Sequence, residues 1–439
     1  MYQIKNMGIK KEFILNKIKN SSLFKDSFWA LLGSVLGKGL SLLSGILVAR
    51  FLGKETYGEY GLIKNTLLYI AVFSTLGLGY SGTRYIAKCY QENRGEVKAL
   101  IRTIYKITFV ASFFMAAMLF LFANQVAIFI KAPDVTDSLK LTSFVIIANA
   151  INTSQIGILS GLKKFKEIAK NNTFSGIVTF VTSALFTYYW NFNGALFSLL
   201  ISMTFNAIIN YLSIQRELLK IEVVSTKLIY GSRELISFSI PIALQESMYS
   251  IVTWGGSYLI IIYGGYGELG ILSAAAQWSS MVLFIPGVLK NVMLSYFSST
   301  ASTHSLQKKM IAINFVATAT PCLVIIILSQ FIAGFYGDTF TNLNVVLSIG
   351  CITSIFSSIS SVIIYEFISL GRNWTVFFAR FIRDIFSLGI IWFCISYIST
   401  IQASIISNLV HILVEFVFMI GLLVAIRLYS SNNEKCNIN

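Results

Sequence analysis

Apolar runs long enough to cross a lipid bilayer follow one another along almost the whole chain. A helix needs about 20 residues to cross the hydrocarbon core, and the sequence contains twelve runs of this kind. The predicted spans are 28–51, 60–82, 103–123, 141–162, 174–190, 195–213, 237–262, 269–290, 310–334, 343–369, 377–398 and 402–427. The sequence therefore predicts an all-α membrane protein with twelve transmembrane helices.

The composition agrees with a chain that lies mostly in lipid. Hydrophobic residues make up 55% of the 439 residues and charged residues only 12%, whereas a soluble domain carries about 25% charged residues. Such a composition excludes a soluble enzyme and a disordered chain. The five cysteines are scattered and form no C-x-x-C pair, which argues against a disulfide framework and a zinc site. We therefore expect no metal and no cofactor.

Lysine and arginine residues are distributed unevenly between the two sides of the predicted bundle. With the N-terminus inside, the cytoplasmic segments collect 28 of the 34 basic residues, and the other side receives four. Basic residues favour the cytoplasmic side of a membrane, so both termini are predicted to be cytoplasmic. The net charge of +15 is then a topology signal that faces anionic lipid headgroups, and it does not indicate a nucleic-acid partner.

A short motif recurs at an interval close to half the chain length. Tyr57-Gly58-Glu59-Tyr60-Gly61-Leu62 matches Tyr266-Gly267-Glu268-Leu269-Gly270-Ile271 at an offset of 209 residues. Each copy lies between the first and second span of a set of six, which predicts two six-helix lobes related by a pseudo-twofold axis. The predicted divisions are a basic N-terminal segment (1–27), an N-terminal lobe (28–213), a cytoplasmic linker (214–236), a C-terminal lobe (237–427) and a cytoplasmic tail (428–439).

Two charged residues lie deep within predicted spans, where an ionisable group is costly and faces a cavity or a partner. Lys38 lies about ten residues, or about 15 Å, into the first span. Glu246 lies in the seventh span, and the repeat offset brings it to nearly the same depth in the other lobe. Two interpretations remain open: an ion pair that fastens the lobes together, or the charged floor of a central cavity. A pair that breaks when the cavity opens satisfies both.

The last span carries a histidine and a glutamate one helical turn apart. His411 and Glu415 either relay protons or bind Na⁺, or they form a structural pair. The sequence offers no nucleotide site as another energy source, because Gly33-x-x-x-Gly37-Lys38 is one residue too short for a phosphate-binding loop. The pair is therefore the candidate site for a coupling ion.

Four short motifs mark the region between residues 28 and 88. They are Ala49-Arg50-Phe51-Leu52-Gly53, Tyr57-Gly58, Gly77-Leu78-Gly79 and Arg84-Tyr85-Ile86-Ala87. Together they resemble the opening motif of the bacterial polysaccharide-unit flippases, the O-antigen translocase (Wzx) family, which is related to the lipid II flippases and the multidrug extruders. The resemblance implies two lobes around a cationic cavity that opens alternately to each side. It also implies a bacterial inner-membrane protein that moves an undecaprenyl-pyrophosphate-linked oligosaccharide, an O-antigen or capsule repeat unit, from the cytoplasmic to the periplasmic leaflet.

This implied cargo gives roles to the charged residues near the cavity. A pyrophosphate that crosses hydrocarbon needs compensating cations. We expect Lys38 to contact it, together with basic residues near span ends, and Glu246 to complete the substrate-binding set. The basic residues near span ends are Arg50, Lys64 and Lys290. The implied partners are the lipid-linked oligosaccharide, the bilayer, and the polymerase and chain-length regulator of the same polysaccharide.

Two other functions remain open on the residues alone. A drug or cation antiporter of the related extruder class should carry acidic residues in its N-terminal cavity, and predicted spans 1–6 carry none. A membrane-bound polysaccharide polymerase or acyltransferase needs a large outer loop or a catalytic histidine, for which the mid-span His411 is poorly placed. We therefore expect a transporter and not an enzyme.

Overall fold

The computed structural model describes residues 22–92, 94–130, 132–221, 231–287, 289, 293, 304–370, 372–398 and 401–436. These residues form α-helices and short 3₁₀ segments, and none of them belongs to a strand. The predicted all-α architecture is confirmed.

Thirteen helices are described within these ranges, and three of them exceed 50 residues. The three are α1 (Ser22–Thr75), α7 (Phe165–Leu218) and α8 (Ser232–Val282). The others are α2 (Leu78–Glu92), α3 (Val97–Leu121), α4 (Ala123–Phe129), α5 (Thr136–Thr142), α6 (Phe144–Gly161), α9 (His304–Ile327), α10 (Ser329–Tyr336), α11 (Leu343–Ser369), α12 (Asn373–Tyr397) and α13 (Ala403–Cys436).

Each of the three long helices turns back on itself once. α1 reverses at Gly53 (φ 72°, ψ 168°) and α8 at Gly265 (φ 78°, ψ 179°). Glycine adopts this conformation without the clash that a β-carbon would cause. α7 reverses at Trp190 and Asn191, and Asn191 has a φ of 47°. Each long helix therefore supplies two limbs, and each limb is long enough to cross a bilayer.

Eight helical stretches of the described chain are long and apolar enough to span a membrane. Three of the eight are the two-limbed helices, so the eight stretches provide eleven crossings. α12 has 25 residues, also enough to cross, although it carries Arg380, Arg383 and Asp384. With α12, the described residues contain the twelve predicted spans, arranged as two six-helix lobes.

The lobes meet symmetrically where α1 and α8 begin their second limbs. A β-carbon on Gly58 would overlap the carbonyl oxygen of Tyr266, and one on Gly270 would overlap the carbonyl oxygen of Lys54. These two contacts are related to each other by an offset of 212 residues. The predicted offset of 209 residues is therefore wrong by three, because the matching letters of the two motifs do not occupy equivalent positions in the two lobes.

Further contacts join the lobes at both ends of the bundle. The end where α1, α7 and α8 reverse is called here the turn end, and the opposite end is called the linker end. At the turn end, Tyr266 Oη donates a hydrogen bond to the carbonyl oxygen of Ile130. At the linker end, Ser81 Oγ donates to the carbonyl oxygen of Leu235 at 2.9 Å. Contacts at both ends of the bundle thus hold the two lobes together.

Several helices run past the predicted lobe limits. α1 begins at Ser22, α7 ends at Leu218 and α13 ends at Cys436. Residues 1–21 and 222–230, which include most of the predicted basic segment and much of the predicted linker, lie outside the described residues. The division of the chain into these segments stays a prediction.

Candidate functional site

Lys38 and Lys64 lie on the two antiparallel limbs of α1, and their ammonium groups are close enough to repel each other. At 1.5 Å per residue, Lys38 lies about 22 Å before the turn at Gly53 and Lys64 about 16 Å after it. The hydrocarbon core is about 30 Å thick, so Lys64 lies near its middle. The expectation that Lys64 lies near a span end is wrong, because the second limb begins directly after Gly53.

No carboxylate in the part of the chain that the structure describes neutralises this pair of lysines. Within the described residues, no acidic side chain lies within 4.0 Å of either ammonium group. Lys64 Nζ lies 5.8 Å from the centre of the Tyr60 ring, a weak cation–π contact. Two like charges in a medium of low dielectric constant repel strongly. The arrangement is therefore suited to an anionic ligand that supplies the missing negative charge.

Glu246 lies on the first limb of α8, and the structure does not pair it with Lys38. Its Oε1 accepts a hydrogen bond from Tyr80 Oη at 3.3 Å. Tyr80 belongs to α2 in the N-terminal lobe, so this bond joins the two lobes near the linker end. Of the two interpretations of Glu246, an ion pair with Lys38 is wrong for this conformation. The charged floor of a central cavity stays a prediction.

Of the other two predicted basic residues, the structure describes only Arg50. Arg50 is exposed near the turn end, about 18 Å along α1 from Lys38. This separation keeps Arg50 away from Lys38, and its predicted contact with the pyrophosphate stays a prediction. Lys290 lies outside the described residues, and its predicted role stays a prediction.

A cavity of about 250 Å³ lies in the C-terminal lobe, between the first limb of α8 and helices α11 and α12. Its charged lining residues are Glu246 from α8 and three residues from α12. Those three are Arg380, Arg383 and Asp384. The other lining residues are Gln245, Met248, Tyr249, Ser357, Phe377 and Phe381.

Arg383 is the centre of a buried charge cluster beside this cavity. Its Nη1 donates to Glu415 Oε2 at 3.0 Å, and its Nε donates to Asp384 Oδ1 at 2.7 Å. The three side chains are only 10–16% exposed. The guanidinium carbon also lies 4.8 Å from the centre of the Phe418 ring. A buried guanidinium held by two carboxylates has its charge compensated, in contrast to the two lysines of α1.

His411 and Glu415 belong to this cluster but do not contact each other as the predicted pair. His411 Nδ1 lies 3.3 Å from Ser387 Oγ, while Glu415 is bound by Arg383. His411 also interacts electrostatically with Arg383 and Asp384. The predicted pairing is therefore corrected: Arg383 takes the position that histidine was expected to hold. The other carboxylate oxygen of Glu415, Oε1, is buried and has no hydrogen-bond partner among the described residues.

Arg380 and Arg383 are functional candidates that sequence reasoning missed, because the predicted span 377–398 begins just before them and puts both near its cytoplasmic end. In the structure α12 begins at Asn373, which puts Arg383 about 15 Å into the helix. The sequence did contain a signal for a buried charge cluster: Arg383 and Asp384 are adjacent, and Glu415 lies in the next span. Buried charges in membranes pair with one another, so these three residues could have been predicted to meet. An error of a few residues in the predicted start of α12 hid the depth.

The fold and the two charged regions together define a class of protein. Twelve spans in two lobes, with ionisable groups at mid-membrane depth on both sides of the lobe boundary, are the architecture of a membrane transporter. The model of the family described as polysaccharide biosynthesis protein matches residues 23–300, and the chain belongs to this family. No curated protein matches the chain.

Solved transporter structures share the fold over almost the whole chain. An inward-facing multidrug resistance MATE family transporter of the MOP superfamily matches with a TM-score of 0.72 and 14% identity, covering 91% of this chain and 96% of that one. The lipid II flippase MurJ in an inward closed conformation matches with a TM-score of 0.71 and 15% identity, covering 91% and 87%. These similarities establish the two-lobe transporter fold.

Proposed function

We propose that this protein is a flippase that moves an undecaprenyl-pyrophosphate-linked oligosaccharide, an O-antigen or capsule repeat unit, across the membrane. The observation that carries the proposal is the pair of uncompensated lysines, Lys38 and Lys64, at mid-membrane depth. Membership of a polysaccharide biosynthesis family supports a saccharide cargo. The similarity to a lipid II flippase supports a fold in which lipid-linked cargo passes between two lobes.

The chemistry of such a cargo matches the distribution of charge. A pyrophosphate loses its hydration when it enters the membrane, and only nearby cations offset that loss. Lys38 and Lys64 supply two positive charges that no described carboxylate cancels. The prenyl chain stays in lipid while the headgroup passes between the lobes. Alternation of the contacts at the turn end and the linker end exposes the headgroup first to one leaflet and then to the other.

The direct test is reconstitution of the purified protein in proteoliposomes that contain the lipid-linked oligosaccharide of its own host. Transfer between leaflets is read from the fraction of headgroup accessible to an added glycosidase. We expect transfer that depends on the protein and that is absent with empty liposomes. Transfer of a multidrug-extruder substrate such as an organic cation, with none of the lipid-linked cargo, would contradict the proposal.

A drug or cation antiporter is the second candidate, and the fold similarity to the multidrug transporter favours it. A cationic drug, however, would meet the uncompensated charges of Lys38 and Lys64 and be repelled. The lipid-linked anion is therefore the better match. The same electrostatic argument separates the two functions in the liposome experiment.

We place the protein in the bacterial inner membrane with both termini in the cytoplasm. A polysaccharide polymerase and a chain-length regulator would receive its product at the periplasmic leaflet of the same membrane. The uneven distribution of basic residues supports this orientation. Residue 165 begins the first limb of α7, and residue 193 lies just past the turn at Trp190 and Asn191. Reporter fusions at 165 and 193 are expected to report the cytoplasm and the periplasm, respectively. Signals from the same compartment would contradict the topology.

We further propose that the charge cluster around Arg383 couples transport to an ion gradient. The unpartnered Oε1 of Glu415 supports this role, because a buried carboxylate oxygen is a binding position for a proton or Na⁺. Glu415→Gln is expected to remove the response of transport to an imposed pH or Na⁺ gradient, and His411→Ala to weaken it.

The measurement for this coupling is gradient-driven transfer in proteoliposomes that contain equal amounts of folded protein. Glu217→Gln is the matched control, because Glu217 is also bound by basic residues but lies at the linker end, where it pairs with Lys164 and Lys220. Normal transfer and a normal gradient response in Glu415→Gln and His411→Ala would make the cluster structural.

A further inference from the structure

The cavity in the C-terminal lobe differs in charge from the lysine pair in the N-terminal lobe. Arg383 is bound by Asp384 and Glu415, and Arg380 shares the cavity with Glu246. Two guanidinium groups are therefore accompanied by three carboxylates around this space. Such a cavity does not provide the net positive charge that a pyrophosphate requires, and its charged lining is unsuitable for a prenyl chain.

Two groups in this cavity have hydrogen-bonding capacity left over. Tyr80 occupies Oε1 of Glu246, and Oε2 has no partner among the described residues. Arg380 Nε is buried and has no partner among the described residues either. A carboxylate only accepts hydrogen bonds and a guanidinium only donates them, whereas a hydroxyl does both. A ligand rich in hydroxyl groups satisfies both positions at once.

Aromatic rings form another part of the same lining. Phe377 and Phe381 stack with their centres 6.0 Å apart and an angle of 14° between their planes. Tyr249 is 55% exposed, so a large part of its ring is open to a ligand. The face of an aromatic ring carries partial negative charge and attracts polarised C–H groups, which line the faces of a pyranose ring.

The size of the cavity limits what it holds. Pockets for drug-sized ligands measure about 300–1,000 Å³, and this cavity of about 250 Å³ lies just below that range. One sugar residue is the appropriate size, and a whole oligosaccharide is not.

We propose that the cavity formed by α8, α11 and α12 binds one sugar residue of the lipid-linked oligosaccharide, while Lys38 and Lys64 bind its pyrophosphate. Glu246 Oε2 accepts a hydrogen bond from a sugar hydroxyl, and Arg380 Nε donates one to a sugar oxygen. This inference rests on the proposed function. It divides recognition of the headgroup between the lobes, so the C-terminal lobe distinguishes loaded lipid from unloaded lipid.

The test compares binding of two probes to the full-length protein in nanodiscs. One probe is undecaprenyl pyrophosphate, and the other is the same lipid carrying the host's oligosaccharide unit. We expect the sugar-bearing probe to bind more tightly to the wild type. Glu246→Gln should weaken binding of the sugar-bearing probe by about tenfold or more, which is the usual effect of losing a hydrogen bond to a charged group. Binding of undecaprenyl pyrophosphate should not change.

Tyr80→Phe is the matched control, because it removes the hydrogen bond between Tyr80 and Glu246 but keeps the carboxylate. This variant should retain the preference for the sugar-bearing probe. Two results would overturn the inference, because each would show that Glu246 acts through the contact between the lobes. In the first, Glu246→Gln weakens the binding of both probes equally. In the second, Tyr80→Phe also loses the preference for the sugar-bearing probe. Equal binding of both probes by the wild type would also overturn it, whereas binding of neither would contradict the proposed function itself.

Discussion

Replacement of Gly58 by alanine is expected to abolish transport while the protein remains folded in the membrane. The α-carbon of Gly58 lies against the backbone of Tyr266 in the other lobe, and a β-carbon at this position would overlap the Tyr266 carbonyl oxygen. Backbone atoms cannot rotate away as a flexible side chain can. The lobes therefore have to separate at the turn end when a single methyl group is added.

The size of this effect follows from the cost of forcing an extra methyl group into a packed contact. That cost is about 1–3 kcal/mol, which lowers the population of the conformation closed at the turn end by about 5- to 150-fold. A transporter that cannot close one end cannot complete alternating access. Gly270→Ala should act in the same way, because Gly270 meets the carbonyl oxygen of Lys54.

The measurement combines transport with labelling of a cysteine introduced at Lys54 by a membrane-impermeant maleimide. In Gly58→Ala we expect faster labelling together with lost transport. Gly421→Ala is the matched control, since a β-carbon on Gly421 meets no atom within 4 Å, and it should behave as the wild type. Wild-type transport by Gly58→Ala at equal protein levels would show that the lobes do not close through this contact.

Replacement of Lys38 by alanine is expected to abolish complementation of a flippase-null strain, and Lys38→Arg to retain part of it. Among the described residues, Lys38 and Lys64 carry positive charges at mid-membrane depth that no described carboxylate compensates. Arginine at position 38 keeps that charge with a different geometry. Loss of one partner from a desolvated charge pair costs about 2–5 kcal/mol, so affinity for the pyrophosphate should fall by about 30-fold or more. Lys64→Ala should have a comparable effect.

Lys140→Ala is the control for these substitutions. Lys140 is a partly exposed lysine near the turn end, where it pairs with the highly exposed Asp137, and exposed pairs contribute little. Its replacement should leave complementation intact. Equal complementation by Lys38→Ala, Lys64→Ala and the wild type at equal expression would place the cation for the pyrophosphate elsewhere in the chain.

The sequence predicted a residue of the candidate site only where its distance from the ends of an apolar run was enough to place it inside the membrane. Lys38 lies far inside an apolar run, so its burial in the membrane followed from counting residues. Arg383 lies in an equally deep position, but it stands near an uncertain span boundary and beside Asp384, so counting assigned it to a helix end. In the structure α12 begins at Asn373, which places Arg383 ten residues inside the helix.

The side-chain contacts within the site also could not be predicted from the spacing of residues along one helix. His411 and Glu415 are one turn apart on α13. Residues with this spacing lie next to each other on the surface of a helix, so the sequence predicted that they form a pair. In the structure α12 packs beside α13 and inserts Arg383, which binds Glu415 at 3.0 Å. A side chain from another helix displaced the partner that helical spacing had suggested.

The sequence by itself determined that this chain spans a membrane, that it does so twelve times and that it has two six-helix lobes. The first two conclusions depend on the length and apolarity of local segments, because a bilayer accepts only segments whose backbone is satisfied internally. The two lobes were predicted from a motif that recurs between the first and second span of each set of six. Only the tertiary structure decided that Lys38 and Lys64 lie close enough to interact electrostatically, that Arg383 binds Glu415 and that the lobes contact each other at Gly58 and Gly270. Those contacts depend on how far each helix is rotated about its axis and where each long helix turns, and neither quantity is encoded in hydrophobicity.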